Sequence, residues 1–522
     1  METNPTTLQP DACYLALKAR DARFDGRFFI GVTSTGIYCR PVCKVRMPKR
    51  ENCRFFGHAA QAESAGFRPC LRCRPELAPH SVVWSIQDAS YILAHQAARL
   101  LDEPEAWGES PPSVEGLAAR MGVSDRHVRR IFEAQFGVSP VQYLQTRRLL
   151  TAKQLLADTG LPITQIALMS GYSSVRRFNA AFVEHYGLNP TRLRREGATQ
   201  PVQGLAIRLG YRPPYDIQAM LGFFGKRAIQ GIEFVDPVRN ATGRTFSAES
   251  GGKWHRGWLV GEFDEARSQV VLRVSDSLQA VLPVVIHRLR AALDLDADPH
   301  AINAVLHESF PQGDGLRVPG AMSGYELAVR AVLGQQITVA ASRTLAQRMV
   351  DRFGEPMDTP WPELTRLFPE PAVLARASGD ALGQLGIVKQ RQAAIVAIAQ
   401  AVSEKRLHLH GGADVQSTLA MLRQLPGIGD WTAQYVAMRA LRWPDAFPAG
   451  DVALHKALGV QGSPSPARAA EAASQNWKPW RSYAVIRAWS SMTPAKPAPT
   501  GRATPQPRRP TRATATTLLE SP

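Results

Sequence analysis

Two places in the 522-residue chain carry residue types at spacings that could do chemistry. The first is a set of cysteines. Cys39-x3-Cys43 and Cys70-x2-Cys73 are separated by 26 residues. Each short spacing puts two sulfurs on one tight turn, so two such pairs can close a tetrahedral thiolate site, with structural zinc as the usual occupant. Cys13 and Cys53 have no partner at such a spacing and read as small apolar residues. The second place is LPGIGDWTAQYVAMRALRWPDAFPAGD, residues 425–451. Gly427 and Gly429 allow a tight turn between two helices, and backbone N–H groups at the start of the second helix can then face a phosphate. The helix that follows carries Trp431 and Tyr435, and the stretch ends on one carboxylate, Asp451, ahead of VALHKAL. Asp serves well as a helix N-cap. A carboxylate so placed can also stabilise positive charge as it develops.

A chain of this length needs three or four domains to position those residues. Its hydrophobic fraction of 44% and aromatic fraction of 8% are enough for folded cores. Lys and Arg number 62 against 45 acidic residues, a formal charge of +17. With a pI near 9.9, this excess suggests a polyanionic partner, nucleic acid ahead of an anionic membrane surface. No run of eighteen apolar residues is present, so no membrane-spanning helix is expected. METNPTTLQPDACYL lacks the basic and apolar regions of a secretory signal. A cytoplasmic, nucleoid-associated monomer is expected, with its cysteines held by metal rather than in disulfides.

The fold expected is multidomain and mainly α with α+β parts. Residues 1–80 form a small zinc module. Its stretch between and around the cysteine pairs is rich in arginine (Arg40, Arg46, Arg50, Arg54, Arg68, Arg72 and Arg74), as a phosphate-facing surface would be. RFDGRFFIGVTSTGIYCRPVCKVRMPKRENCRFF, followed by AGFRPCLRCRPE, resembles the N-terminal zinc domain of the Ada family of alkylation-repair proteins. The resemblance implies one Zn2+ held by Cys39, Cys43, Cys70 and Cys73. It also implies that Cys39, the first of the four, irreversibly accepts a methyl group from a DNA methylphosphotriester. Methylation would take a four-thiolate zinc centre from a charge of −2 to −1, lessening its repulsion of DNA phosphates and turning repair into a binding switch.

Residues 81–112 open with a helical pattern, end in Pro/Gly/Ser-rich AWGESPPS and read as a connector. Residues 113–198 hold an internal repeat with an offset of about fifty residues: LAARMGVSDRHVRRIFEAQFGVSP matches IALMSGYSSVRRFNAAFVEHYGLNP. Each half reads as a helix, a glycine turn, a Ser-capped second helix and a Gly-x-x-Pro exit, the punctuation of a helix-turn-helix. The second helices offer Arg126, Arg129 and Arg130, then Arg176 and Arg177, to major-groove edges and phosphates. The pair, joined by VQYLQTRRLLTAKQLLA, resembles the AraC-type DNA-binding domain.

Residues 201–293 alternate in hydrophobicity (WLVGEF, QVVLRVS) and read as a small α+β unit; residues 294–490 are mostly helical. YRPPYDIQAMLGFFGKRAIQGIE, the 425–451 stretch and WKPWRSYAVIRAW resemble, in order and spacing, the AlkA branch of the helix-hairpin-helix DNA glycosylase superfamily. Residues 491–522, rich in Pro, Thr and Ala, read as a disordered tail.

That second resemblance implies double-stranded DNA as substrate and hydrolysis of the N-glycosidic bond of alkylated purines such as 3-methyladenine and 7-methylguanine. Asp451 takes the place of the catalytic carboxylate. Phe223, Trp431, Tyr435 and Trp489 take the places of the aromatic pocket that receives the flipped base. Gly427 and Gly429 form the hairpin that grips the backbone, with a monovalent cation as an accessory. Gln335 and Gln336 lie where the strand is wedged open, Gln336 replacing an apolar wedge, and Val452 replaces the aromatic that follows the Asp. Trp431, where strand-cutting members carry Lys, implies a monofunctional enzyme that leaves an abasic site. No Pro-Cys-His-Arg motif is present, so the second methyltransferase of the Ada family is not expected. RNA polymerase is the expected partner of the methylated form. The alternative is a transcription regulator of the adaptive response with a non-catalytic glycosylase-like module.

Overall fold

The structure is a computed structural model that describes residues 9–80, 89–107, 110–194 and 204–492; most of the expected tail lies outside the described residues. The first module wraps a helix, Pro10–Ala19, against a four-stranded sheet of β1 (Phe29–Val32), β2 (Ile37–Cys39), β3 (Cys53–Phe56) and β4 (Arg68–Pro69), in the order β3-β1-β2-β4. Both faces of β1 are buried. Ile30 points with Phe28 toward Cys13, Leu17 and Cys53, while Phe29 packs with Tyr38, Ala62 and Phe67. Gly31 lies between two rings, and a Cβ there would stand 2.8 Å from Phe56 and 2.9 Å from Phe67. Strand β2 pairs with β4 in parallel, Tyr38 opposite Pro69. Their C-terminal ends therefore lie side by side, which brings Cys39 next to Cys70.

The repeat folds as two helix-turn-helix units. Val114–Met121 and Asp125–Phe136 form the first, with Ser124 capping the second helix through the N–H of His127; Ile163–Met169 and Val175–Tyr186 form the second, capped in the same way by Ser174. The long helix Pro140–Asp158 joins them, opened by a capping box of Ser139 and Gln142.

The segment expected as a connector is part of this packing. Its helix Ala89–Asp102 lies on the first recognition helix, and Ala94, Ala97, Leu101 and Trp107 fill a core with Val128, Ile131 and Phe132. Two short helices cannot cover their own apolar stripes, so the third is recruited from upstream. The second unit solves the same problem differently. Phe178, Phe182 and Tyr186 share one apolar cluster with Leu205, Ile207 and Leu209 of the following sheet. That sheet comprises β5 (Leu205–Gly210), β6 (Glu233–Asp236), β7 (Ala241–Ser250), β8 (Lys253–Asp264) and β9 (Gln269–Val274), in the order β5-β9-β8-β7-β6 and antiparallel throughout. The remaining module is all helical and has its own core. Among the described residues no helix is long and apolar enough to cross a membrane.

Buried polar groups lace the modules together. The fully buried Arg212 guanidinium donates to the carbonyls of Asp25, Pro79, His80 and Asp296 at 2.7–2.9 Å. Lys153 of the joining helix pairs with Glu76, and Arg74 bridges Glu76 and Asp158 at 2.9 and 2.7 Å. Between the zinc module and the same helix, Glu63 accepts from Tyr38 Oη at 2.9 Å and Thr146 Oγ1 at 2.8 Å.

Burial pushes the Glu63 carboxyl up to about 7, against the hydrogen bonds of Thr146 and Tyr38. A raised folded pKa contributes stability that is full below the unfolded value near 4.5 and is lost as pH rises through about 7. Glu63→Gln removes that loss. The melting temperature of the variant relative to wild type should therefore rise between pH 5 and pH 8. The buried histidines titrate alike in both proteins, and a pH-independent difference would contradict the assignment.

Candidate active site and metal centre

The four cysteine sulfurs lie within 4.8 Å of one another. Cys39 closes β2. Cys70 is set by its N–H, which donates to Tyr38 O at 2.9 Å, and Cys43 by a turn in which its N–H donates to Arg40 O at 3.1 Å. Three of the four are buried, and Cys73 is half-buried. Crowded together, the sulfurs drive one another in opposite directions: Cys39 is pushed up by its contacts with Cys43 and Cys70, while Cys70 is held down by Cys39 and Cys43. Four adjacent thiolates need a cation to coexist, and an all-sulfur set of four suits zinc. The centre thus holds one Zn2+ through Cys39, Cys43, Cys70 and Cys73.

Not all of the nearby arginines face outward. Arg46, Arg54, Arg68 and Arg72 are exposed. Arg40 is buried, bound to Asp25 and donating to Cys73 O at 3.0 Å, and Arg74 is engaged by Glu76 and Asp158. Arg40 braces the metal loop within its own module and Arg74 ties it to the long joining helix, so neither is available to a phosphate.

In the helical module, Val415–Gln424 and Asp430–Arg439 form the hairpin, with Gly427 at φ +72° in the turn and Gly429 as N-cap. No atom lies within 4 Å of where a Gly429 Cβ would stand, so the start of the second helix is open. Gln335 is half-buried behind this turn. Its amide nitrogen donates to Gly427 O and Thr432 Oγ1, both at 3.0 Å, so it supports the hairpin. Gln336 beside it is exposed, at φ +55°, and forms the tip of its loop.

Asp451 is 8% exposed and caps the short helix Val452–Ala457, accepting from Leu454 N at 2.7 Å. The same carboxylate accepts from two indoles: Trp431 Nε1 reaches Oδ2 at 2.8 Å and Trp489 Nε1 reaches Oδ1 at 3.0 Å. Trp431 stacks on Tyr435 with centroids 5.2 Å apart and planes 12° from parallel, and Tyr435 faces Trp489 at 6.4 Å. A closed ring of Asp451, Trp431, Tyr435 and Trp489 results. The Tyr435–Trp489 gap, at 6.4 Å and tilted 42°, is slightly tighter than the ~7 Å that a base sandwiched between two rings needs. Phe223, on the helix Ile217–Gly225 of the α+β unit, reaches the same cluster from the other module through Arg439. Its ring is flanked by Arg227 at 3.7 Å and Arg439 at 4.8 Å, and Arg439 also lies 5.2 Å from Tyr435. Val452, 72% exposed, points away from the carboxylate's partners into solvent.

The two arginines escaped the sequence reading. Their signal was present: Arg439 is the one charge in YVAMRAL, four residues after Tyr435 and so on its face of the helix. Arg126, Arg129, Arg130, Arg176 and Arg177 are all exposed on the second helices of the repeat.

Hairpin, caged carboxylate and aromatic ring define a base-excising DNA glycosylase, here joined to a zinc module and a double helix-turn-helix. Family models agree along the chain: "Metal binding domain of Ada" over 12–76, "Helix-turn-helix domain" over 117–196, "AlkA N-terminal domain" over 206–323 and "HhH-GPD superfamily base excision DNA repair protein" over 329–482. The "Probable bifunctional transcriptional activator/DNA repair enzyme AlkA" of Mycobacterium tuberculosis (strain ATCC 25618 / H37Rv) is 36% identical over 92% of this chain and 96% of its own. "DNA-3-methyladenine glycosylase 2" of Escherichia coli (strain K12) is 33% identical over 54% of this chain and 95% of its own. The "Bifunctional transcriptional activator/DNA repair enzyme Ada" of the same organism is 33% identical over 39% of this chain and 52% of its own. The chain belongs to the family of bifunctional transcriptional activator/DNA repair enzymes that the mycobacterial protein represents. It is a DNA repair glycosylase with regulatory zinc-binding and helix-turn-helix modules, and DNA is its partner.

Elemental analysis of the purified chain should give one zinc per molecule. Cys70→Ser should lose the metal to a chelator that leaves wild type loaded, because three sulfurs no longer close the site. Retention of zinc by the variant would place the metal elsewhere.

Proposed function

We propose that the enzyme hydrolyses the N-glycosidic bond of alkylated purines, 3-methyladenine and 7-methylguanine, and leaves an abasic site. The observation that carries this reading is the carboxylate of Asp451 set against two indoles beside the Trp431–Tyr435 stack. Breaking an N-glycosidic bond passes through an oxocarbenium-like sugar. Asp451 lies where that positive charge is stabilised, and water supplies the nucleophile. A purine made cationic by alkylation leaves as a neutral base and needs little acid help. Trp431 and Tyr435 offer it a π-face, and the entering base must widen the gap to Trp489. No lysine occupies the position of Trp431, so no Schiff base forms there and the strand is not cut.

Cys39 is proposed as the acceptor of methyl from DNA methylphosphotriesters. Zinc, when bound, keeps the four sulfurs as thiolates at neutral pH. Backbone N–H groups of Val45, Cys73 and Arg40 face the sulfurs of Cys43, Cys70 and Cys73, which damps them as nucleophiles. Cys39, which closes β2, is the sulfur taken to attack. Its Sγ attacks the methyl carbon, the carbon–oxygen bond breaks and the phosphodiester leaves as an anion. The methylated, less negative centre then binds a promoter more tightly through the exposed arginines of the two recognition helices, as a monomer that engages RNA polymerase.

Asp451→Asn retains a side chain able to cap its helix. Excision of 3-methyladenine should nevertheless fall on the order of 100-fold or more, with DNA affinity close to wild type and a lower melting temperature, because the amide nitrogen cannot accept from one of the two indoles. Undiminished release would refute the role. After incubation with methylphosphotriester DNA, mass spectrometry should find one methyl on Cys39; methyl on another cysteine, or on none, would count against the acceptor assignment.

A further inference from the structure

The helix Ala89–Asp102 stands between the first recognition helix and the excision half. One of its faces, Ala94, Ala97, Ala98 and Leu101, packs on Val128, Ile131 and Phe132. At about 100° per residue, Arg99 falls on the opposite side. Its Nη2 donates to Gly411 O at 2.5 Å. Just past the helix end, Glu103 lies 2.9 Å from His287 Nε2, and Glu105 accepts from Arg288 Nε at 2.7 Å. A Cβ on Gly412 would stand 2.8 Å from Glu103 Cγ, so the two halves touch here. The recognition helix Asp125–Phe136 is two-sided as well. Val128, Ile131 and Phe132 face the Ala89–Asp102 helix, and Arg126, Arg129 and Arg130 are exposed on the other side. Its reading face therefore points away from the excision half.

The excision half turns its own grip the other way. Helices Val415–Gln424 and Asp430–Arg439 both run between the docked end and the hairpin turn. Residues 411 and 412, just ahead of the first, touch Arg99 and Glu103. Arg442, just beyond the second, donates to Val318 O at 2.9 Å and pairs with Asp294. Two residues on, Asp296 accepts from His80 N–H at 2.7 Å and, through its carbonyl, from Arg212. Each of the two helices is ten residues long. Helices of that length span about 15 Å, so the hairpin turn lies that far from the docked end. A phosphate on the open N–H groups after Gly429 sits farther out along the same axis. With two packed helix layers of about 8–10 Å each, the two grips stand roughly 30 Å apart and face opposite ways. A straight duplex cannot lie on both, and DNA much shorter than its persistence length of ~150 base pairs does not turn back on itself. At physiological salt the Debye length is about 8 Å, so a duplex on one grip scarcely repels a duplex on the other. We propose that one chain holds two DNA segments at once, one on the first recognition helix and one in the excision site, and so bridges duplexes that are not neighbours in sequence. The excision end of this bridge rests on the glycosylase reading of Asp451 given above.

The test uses the full-length, zinc-loaded chain and two duplexes of about 24 base pairs, far too short to loop from one grip to the other. One carries a tetrahydrofuran abasic analogue, a stable mimic of the excision product. The other is undamaged and fluorescent. After the chain is loaded with one equivalent of the tetrahydrofuran duplex, sedimentation velocity should show one chain with one duplex of each kind. Loading should weaken binding of the undamaged duplex by less than about twofold, where a shared face would weaken it by about tenfold or more. Glu133 is exposed three residues after Arg130, on the reading side of the helix. With Glu133→p-benzoylphenylalanine, illumination of the mixed complex should crosslink the undamaged duplex. One duplex per chain at saturation, or a two-duplex complex that needs two chains, would overturn the proposal, as would a crosslink from residue 133 to the tetrahydrofuran duplex instead. A chain that holds the tetrahydrofuran duplex no more tightly than the undamaged one would overturn the excision reading itself.

Discussion

Three hydrogen-bond donors converge on one carboxylate, and the excision module is arranged to bring them there. Leu454 N–H, Trp431 Nε1–H and Trp489 Nε1–H reach Asp451 from its own helix, from the hairpin helix and from the C-terminal helix. A carboxylate at 8% exposure needs such partners, because water is largely excluded. Tryptophan meets both demands of the site. Its indole body is apolar enough to line a pocket, and its one N–H can be spent on the acid. The N-cap role and the proposed catalytic role, which compete as readings of the sequence, are therefore compatible in one arrangement: Oδ1 and Oδ2 fix the helix and the rings at once.

Across the ring of Trp431, Tyr435 and Trp489 lies the opposite charge. Arg227 and Arg439 are fixed by backbone carbonyls, and behind them Arg330 and Arg244 are interleaved with Glu233 and Glu326. Under the proposed excision, negative charge at the sugar end and positive charge at the base end follow the direction in which electrons move when the glycosidic bond breaks. Dipoles and charges held in place beforehand need no reorganisation during reaction, which makes such an arrangement effective in a site with little water.

What the sequence discloses is what short spacing encodes. Two cysteine pairs, a glycine hairpin followed by an acid, and serine caps repeated about fifty residues apart each carry their geometry locally, and the structure brings their residues together. The remainder depends on partners far away in the chain. Arg40 and Arg74 look like phosphate ligands until Asp25 and Asp158 are found beside them. Gln335 looks like a DNA contact until Gly427 claims its amide. Helix Ala89–Asp102 looks like a connector because the core it completes is supplied by the helices that follow it. Arg439 was readable by its spacing from Tyr435, but nothing local tells that its guanidinium is clasped by the carbonyls of residues 319 and 320.

The apolar cluster that Phe178, Phe182 and Tyr186 share with Leu205, Ile207 and Leu209 has a consequence for how the chain can be divided. The second DNA-reading unit and the first sheet of the excision half have no separate interiors. A cut between them would bare large rings on one side and a strand's aliphatic face on the other, with Gln154 losing its bond to Arg208 O. They are therefore expected to melt and refold as one cooperative block. The second helix-turn-helix and the helix Ile217–Gly225, which carries Phe223, stand on one block and cannot drift apart, while Tyr435 and Trp489 pack on the separate core of the helical module. Wherever the second unit of the repeat is placed, the Phe223 side of the excision site is placed with it.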